Sequence, residues 1–238
     1  MKRSSTRVLL FTCEHGGNQV PRKFAGRFAD HQDLLKTHRG WDPGALKTAK
    51  AFAQAADVQL FFSETTRLLV DLNRSEWNPA LMSSLVPPPN EEERDEILEK
   101  WYRPFRQQVL DWVTQHVQQK QQVWHLSFHS FTPELNGEVR NAEIGLLYDP
   151  QREPERALAA RWKETLRETL PECRVRMNYP YRGITDGHTT ALRKRFGAGE
   201  YVGIELEVNQ LLYAQAPAQV KRLIAGLQGS FLAAHQGI

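Results

Sequence analysis

Four short apolar runs in this chain lead into ionisable side chains, and that repetition restricts the fold more than any other feature of the sequence. Val8 to Phe11 runs on to Glu14 and His15, with Gly16 and Gly17 behind them, and Leu68 to Leu72 ends in Asp71-Leu72-Asn73-Arg74. Val123 to Phe128 ends at His129-Ser130, and Tyr201 to Val208 carries Glu205 and Glu207 inside an otherwise apolar segment. Short apolar runs bounded by turn formers read as buried strands, and open α/β sheets keep their chemistry at the carboxyl ends of strands.

Helical patterns separate these runs. Asp42-Pro43-Gly44 opens a helix to about Ala55, with Leu46, Ala49, Phe52 and Ala56 on one face. Asn90 before Glu91, Glu92 and Glu93 is a capping sequence with acids at the positive helix end; that helix runs toward Tyr102, is interrupted near Pro104 and continues to about Gln119. Further helices are expected over Glu153 to Leu170, His188 to Phe196 and Ala216 to Ala234, and further strands over Val58 to Phe62, Ala142 to Tyr148 and Cys173 to Met177. Pro21 to Lys36 reads as short helical or irregular structure, and the proline-rich Trp77 to Pro89 as a loop. The alternation predicts an α/β fold with a central mixed, mostly parallel sheet covered on both faces. No repeat or linker divides residues 1–238, so one domain is expected.

Composition narrows the function by exclusion. With 31 basic against 28 acidic residues, the net charge of +3 gives no basic surface for a nucleic acid. No apolar run approaches the ~20 residues that cross a bilayer, and Met1 to Thr6 lacks the apolar core of a secretory signal. The two cysteines, Cys13 and Cys173, form neither a metal spacing nor a disulfide framework, which points to a reducing, cytoplasmic setting. Gly16-Gly17 lacks a phosphate-loop or dinucleotide pattern, and no nucleophile elbow surrounds Ser130.

What remains is histidine and carboxylate chemistry. Two histidines from distant segments, His15 and His129, with one carboxylate make the donor set of a catalytic zinc, which takes three protein ligands and keeps one position open. Glu205 and Glu207, two residues apart, project to one face of a strand, where burial is costly unless the charge is paired or metal-bound; a solvated edge strand is the other reading. Arg74, after Asn73, can grip a carboxylate with two parallel hydrogen bonds or form a structural salt bridge. The loop Asn178-Tyr179-Pro180-Tyr181-Arg182-Gly183 supplies a second anion contact, a lid, or plain surface.

The segments CEHGGNQVP, HRGWDPGA, RLLVDLNRS, HSF, AEIGLLYDP, NYPYRG and IELEVNQ, in this order from Arg7 to about Tyr213, resemble the N-formylglutamate amidohydrolase family. That family looks like a relative of the zinc carboxypeptidases. The resemblance implies a three-layer α/β/α domain of the phosphorylase/hydrolase-like type and one Zn2+ per chain held by His15 and His129. It also implies Glu207 as catalytic base, and Asn73 and Arg74, with Arg182, as contacts for the carboxylate of a small-molecule N-acyl amino acid. Carboxypeptidases place a glutamate ligand three residues after the first histidine, where this chain has Asn18; Asp42 is the expected third ligand and Glu14 the alternative. Near the end of the last strand, where amidohydrolase relatives often have arginine, this chain has Asn209, which leaves the acyl group and the amino acid open. The expected activity is hydrolysis of an N-acyl amino acid such as N-formylglutamate. A zinc exopeptidase, another deacylase, or a non-catalytic binder of a carboxylated ligand are the alternatives. Neither nucleic acid nor membrane is expected as a partner, and the oligomeric state stays open.

Overall fold

The computed structural model describes residues 6–237. Met1 to Thr6, read above for targeting, lies outside them except for Thr6. In chain order the elements are β1 (Arg7–Cys13), α1 (Gln32–Leu35), α2 (Ala45–Ala56), β2 (Leu60–Phe62), α3 (Glu91–Ile97), α4 (Arg103–Gln118) and β3 (Gln122–Phe131), then the short pair β4 (Glu134–Leu135) and β5 (Glu138–Val139). β6 (Ile144–Leu147), α5 (Glu153–Thr169), β7 (Val175–Met177), α6 (His188–Arg193), β8 (Tyr201–Asn209) and α7 (Pro217–Gln236) follow. Six strands form one sheet in the order β2-β1-β3-β8-β6-β7. β6 runs antiparallel to β8, and every other neighbouring pair in it is parallel. The mixed, mostly parallel sheet is thus observed.

The two faces of the central strands are sorted by the two-residue period of a β-strand. Phe11, Leu126, Phe128, Ile204 and Leu206 pack with α2, α5 and α7, where Phe52, Trp162 and Phe231 are buried. Phe11, Phe52 and Phe128 meet edge to face, with ring centroids 4.9–6.0 Å apart. On the opposite face Leu10, Val123 and Tyr201 pack with Val109 and Val113 of α4 and Leu192 of α6. These are the three layers.

Asn90 caps α3 as its sequence predicts: the side chain accepts the Glu93 amide, and the Glu93 carboxylate accepts the Asn90 amide. The interruption before Pro104 is one π-type turn at Leu98–Tyr102, which joins α3 to α4.

Two expectations are corrected. Leu68 to Leu72 is a pair of turns, not a strand. Leu68, Leu69, Val70 and Leu72 are all buried in a second apolar cluster with Phe24, Phe28 and Ile97, so the run records burial on all sides and not pairing. The Leu68 and Leu69 amides donate to Thr66, and the Asp71 amide to the Leu81 carbonyl, none of them to a neighbouring strand. The solvated-edge reading of Glu205 and Glu207 also fails, because β8 lies between β3 and β6 with all nine residues buried. Among the described residues, no helix is long and apolar enough to cross a membrane.

Phe52 sits at the centre of the aromatic cluster, 3% exposed. Phe52→Ala is expected to lower stability by about 3–5 kcal/mol, read as a lower denaturant midpoint with an unchanged slope.

Candidate metal centre and active site

The face of the sheet that carries Leu10 and Val123 becomes polar toward the carboxyl ends of the strands. In the parallel register Ser127 stands beside Glu205, and His129 beside Glu207. β1 stops at Cys13, and the next turn carries Glu14 and His15 back over the same face. Asp42 arrives from the loop before α2, and its amide donates to the His15 carbonyl at 2.9 Å. Gly44 closes that loop with a φ of 86° and with its Cα against the Tyr213 ring, a position no side chain can take.

Asp42 Oδ2 lies 2.9 Å from His129 Nδ1 and 3.4 Å from His15 Nδ1. Each imidazole is oriented from behind through its other nitrogen. His15 Nε2 donates to Asp71 Oδ1 at 2.7 Å. Ser127 has one hydroxyl proton, which goes to Glu14 Oε2 at 2.7 Å; the 2.9 Å contact of Ser127 Oγ with His129 Nε2 is therefore donated by the histidine. With both Nε2 atoms protonated, two Nδ1 lone pairs and one carboxylate oxygen converge on one point. Such a triangle could hold a metal ion. Zinc bonds of about 2.0–2.1 Å in tetrahedral geometry place neighbouring ligand atoms roughly 3.3 Å apart, and the two distances from Asp42 to the imidazoles are on that scale. Among the described residues, His15, Asp42 and His129 are the group able to hold a metal ion.

The surrounding charges are consistent with a cation at that point. Burial opposes ionisation of Asp42, yet His15, His129 and Arg67 hold its carboxyl well below the usual range. Asp71 is held low in the same way, with Arg67 outweighing burial. Burial also disfavours a charged His129, but Asp42 and Glu14 raise it well above an ordinary imidazole. Arg67 joins the two acids, donating to Asp42 Oδ1 at 3.3 Å and to Asp71 Oδ2 at 2.7 Å. Behind Glu14, burial and Arg106 lower His188 to about 4, so a neutral imidazole donates to Glu14 Oε1 at 2.9 Å.

Glu207 differs from these acids. Burial pushes its carboxyl up to about 8, and its Oε2 is buried with no hydrogen-bond partner. A cavity of about 130 Å³ in front of it is lined by His15, Asp42, His129, Asn73, Arg74 and Glu207, together with Arg67, Tyr181 and Glu205. Opposite Glu207 in the sheet is Gly145, where a Cβ would collide with the Tyr179 carbonyl and crowd the Glu207 side chain.

Six of the residues expected from sequence thus meet in one cavity, and two do not. Arg182 is exposed and stands outside the cavity lining; Arg67 and Tyr181 occupy the wall instead. Glu14 turns behind His129, so Asp42 is the carboxylate that stands with the two imidazoles. Asn73 is partly committed: its Oδ1 accepts the His188 amide at 2.6 Å, and its Nδ2 is 3.4 Å from His129 Nε2. Asn209 serves the backbone, bonding to Ala142 and Leu211. Arg67 and Asp71 had a sequence signal, opposite charges four residues apart in RLLVDLNRS, that reading the stretch as a strand concealed.

Asp71→Asn is expected to weaken zinc binding by about 10- to 100-fold, measured by competition with a chelator. Unchanged affinity would mean that Asp71 gives His15 no support. In the metal-free protein, Glu207 holds a proton between its ordinary 4.5 and about 8 that the unfolded chain has released. The stability from that proton is complete below the lower value and is lost as pH rises through the upper one, at about 1.4 kcal/mol per pH unit between them. Glu207→Gln should remove this slope in denaturation measured across that range.

The geometry agrees with what the chain resembles. No curated protein matches it. Among solved structures, gene product Atu2144 from Agrobacterium tumefaciens superposes with a TM-score of 0.79 and 26% sequence identity, over 96% of this chain and 90% of that one. N-formylglutamate amidohydrolase from Ralstonia eutropha JMP134 shares the fold, with a TM-score of 0.67 and 18% identity over 99% of this chain and 97% of that one. The family model for N-formylglutamate amidohydrolase matches residues 7–214. The chain therefore belongs to the N-formylglutamate amidohydrolase family and is a hydrolase of amide bonds.

Proposed function

We propose that this amidohydrolase is zinc-dependent and cleaves N-acyl amino acids, N-formylglutamate or a chemical relative of it. The observation that carries the reading is the pairing of a three-lone-pair triangle at Asp42, His15 and His129 with a buried, unpartnered Glu207 oxygen on the wall of the same cavity. His15 Nδ1, His129 Nδ1 and an Asp42 oxygen would hold the metal. A zinc ion held there supplies Lewis-acid polarisation of the amide carbonyl and acidifies water.

The chain's own residues do the rest. Glu207 removes a proton from the attacking water and returns it to the leaving nitrogen. Its Oε2, buried without a hydrogen-bond partner on the cavity wall, is free to take that proton and pass it on. Arg74, 36% exposed at the cavity wall, is free enough to take the substrate carboxylate. Asp71, Ser127 and Glu14 keep the imidazoles in the tautomer that presents Nδ1, which spares the centre reorganisation during the reaction. In this reading the chain is one catalytic domain, acting in a reducing compartment; the two cysteines, both free and buried, agree with that setting.

The test begins with metal content. Wild type should carry about one zinc per chain, and His15→Ala and His129→Ala should lose it. Glu207→Gln should keep the metal while kcat on N-formylglutamate or the best N-acyl amino acid falls by about 10²–10⁴-fold. Wild type that takes up no metal from added zinc, or a Glu207→Gln enzyme with full turnover, would overturn the reading.

A further inference from the structure

β8 turns two acids toward the cavity, and the mechanism above uses only Glu207. Glu205 lines the same cavity, stands on the same face of the strand two residues deeper, and is 8% exposed. Its Oε1 accepts the Thr189 hydroxyl at 2.5 Å, and among the described residues no donor reaches its Oε2. The buried Arg193 guanidinium is engaged by Glu155 and by the Gly183 and Gly203 carbonyls instead. A carboxyl this far from water and only half satisfied is costly. A donor carried in by a ligand would satisfy it.

The other charged groups on the wall are already committed. Asp186 accepts from the Ser75 amide and hydroxyl and from Asn78. Arg67 is held by Asp42 and Asp71. Of the two arginines that line the cavity, Arg74 alone remains for an anion, and one guanidinium grips one carboxylate.

Which half of the substrate meets Glu205 follows from Glu207, so the inference rests on the function proposed above. The base returns its proton to the leaving nitrogen, which keeps the amino-acid half on the β8 side of the cavity. Alternate residues of a strand are about 7 Å apart. A side chain of three or four carbons, starting from an α-carbon near Glu207, therefore ends at Glu205 while Arg74 takes the α-carboxylate. A second carboxylate in that place, as in glutamate, would set acceptor against acceptor.

We propose that Glu205 selects the amino-acid half of the substrate: it carries one carboxylate, and its side chain ends in a hydrogen-bond donor, an amide or an ammonium group, where glutamate has its second carboxylate.

The experiment uses protein supplied with zinc and the N-formyl and N-acetyl derivatives of glutamate, glutamine, ornithine and norleucine. kcat/KM is measured on wild type and on Glu205→Gln, and Kd by calorimetry on Glu207→Gln with and without Glu205→Gln. Glutamine or ornithine should exceed both glutamate and norleucine by about tenfold or more, the scale of one buried group left unmatched; whichever of the two leads names the donor. Glu205→Gln keeps the length of the side chain and should raise the glutamate-to-ornithine ratio by about tenfold or more. A merely structural Glu205 would change all four compounds together. Glutamate as the best substrate, or ratios that Glu205→Gln leaves unchanged, overturns the selection and leaves the hydrolase reading standing. The expected order in Kd without turnover of any compound supports the selection and overturns the hydrolase reading. Neither binding nor turnover overturns both.

Discussion

One oxygen of Asp42, held between the Nδ1 atoms of His15 and His129, is the contact on which the arrangement around it depends. All three residues are 4% exposed or less, and a buried charge is tolerated only when paired and fully hydrogen-bonded. The consequence spreads outward in steps. Asp42 requires Arg67, Arg67 brings in Asp71, and Asp71 orients His15. On the other side His129 requires Ser127 and Glu14, and Glu14 requires His188. Networks of this kind are rigid because each member would be left unsatisfied by the loss of another.

The sheet makes this possible by giving each central strand two jobs. One face of β1, β3 and β8 is apolar through its middle, from Trp124 and Val202 to Phe128 and Val208, and packs against α2, α5 and α7. The other face carries polar groups in three levels. Thr12, His125 and Tyr201 form the deepest, joined by hydrogen bonds of 2.8 and 2.6 Å. Glu14, Ser127 and Glu205 form the next, and His15, His129 and Glu207 the one at the strand ends. Burial lowers His125 to about 3, so the deepest level is neutral. Charge is thus confined to the levels that open onto the cavity.

The cavity mouth is built from loops, and Asp186 ties two of them together. Its carboxylate accepts the Ser75 amide at 3.0 Å and Asn78 Nδ2 at 2.6 Å, and its carbonyl accepts Arg74 Nη1 at 3.1 Å. Arg74 is thus held at the opening by the Asp186 carbonyl. His129 and Glu207 sit on strands, while His15, Asp42 and Arg74 sit on the turns and loops at the strand ends.

Much of this was legible in the chain itself. Apolar period and strand-end polarity located β1, β3 and β8, and the two-residue spacing put Glu205 and Glu207 on one face, because side-chain alternation in a strand is a local property. The Asn90 cap was legible for the same reason, since its partner is three residues away. The identities of His15, His129, Asn73, Arg74 and Glu207 came from ordered motifs, and the cavity contains all of them. What only the tertiary structure decided was direction. Asp42 is the expected third ligand with Glu14 as the alternative, and the turn after β1 sends Glu14 behind His129 while the Gly44 loop brings Asp42 to the front. Leu68 to Leu72 has the composition of a strand and is instead wrapped on all sides by a second core. Arg182 has the right charge in the right loop, but faces solvent. Local pattern determines which face a residue occupies; the packing of segments far apart in sequence determines what stands opposite it.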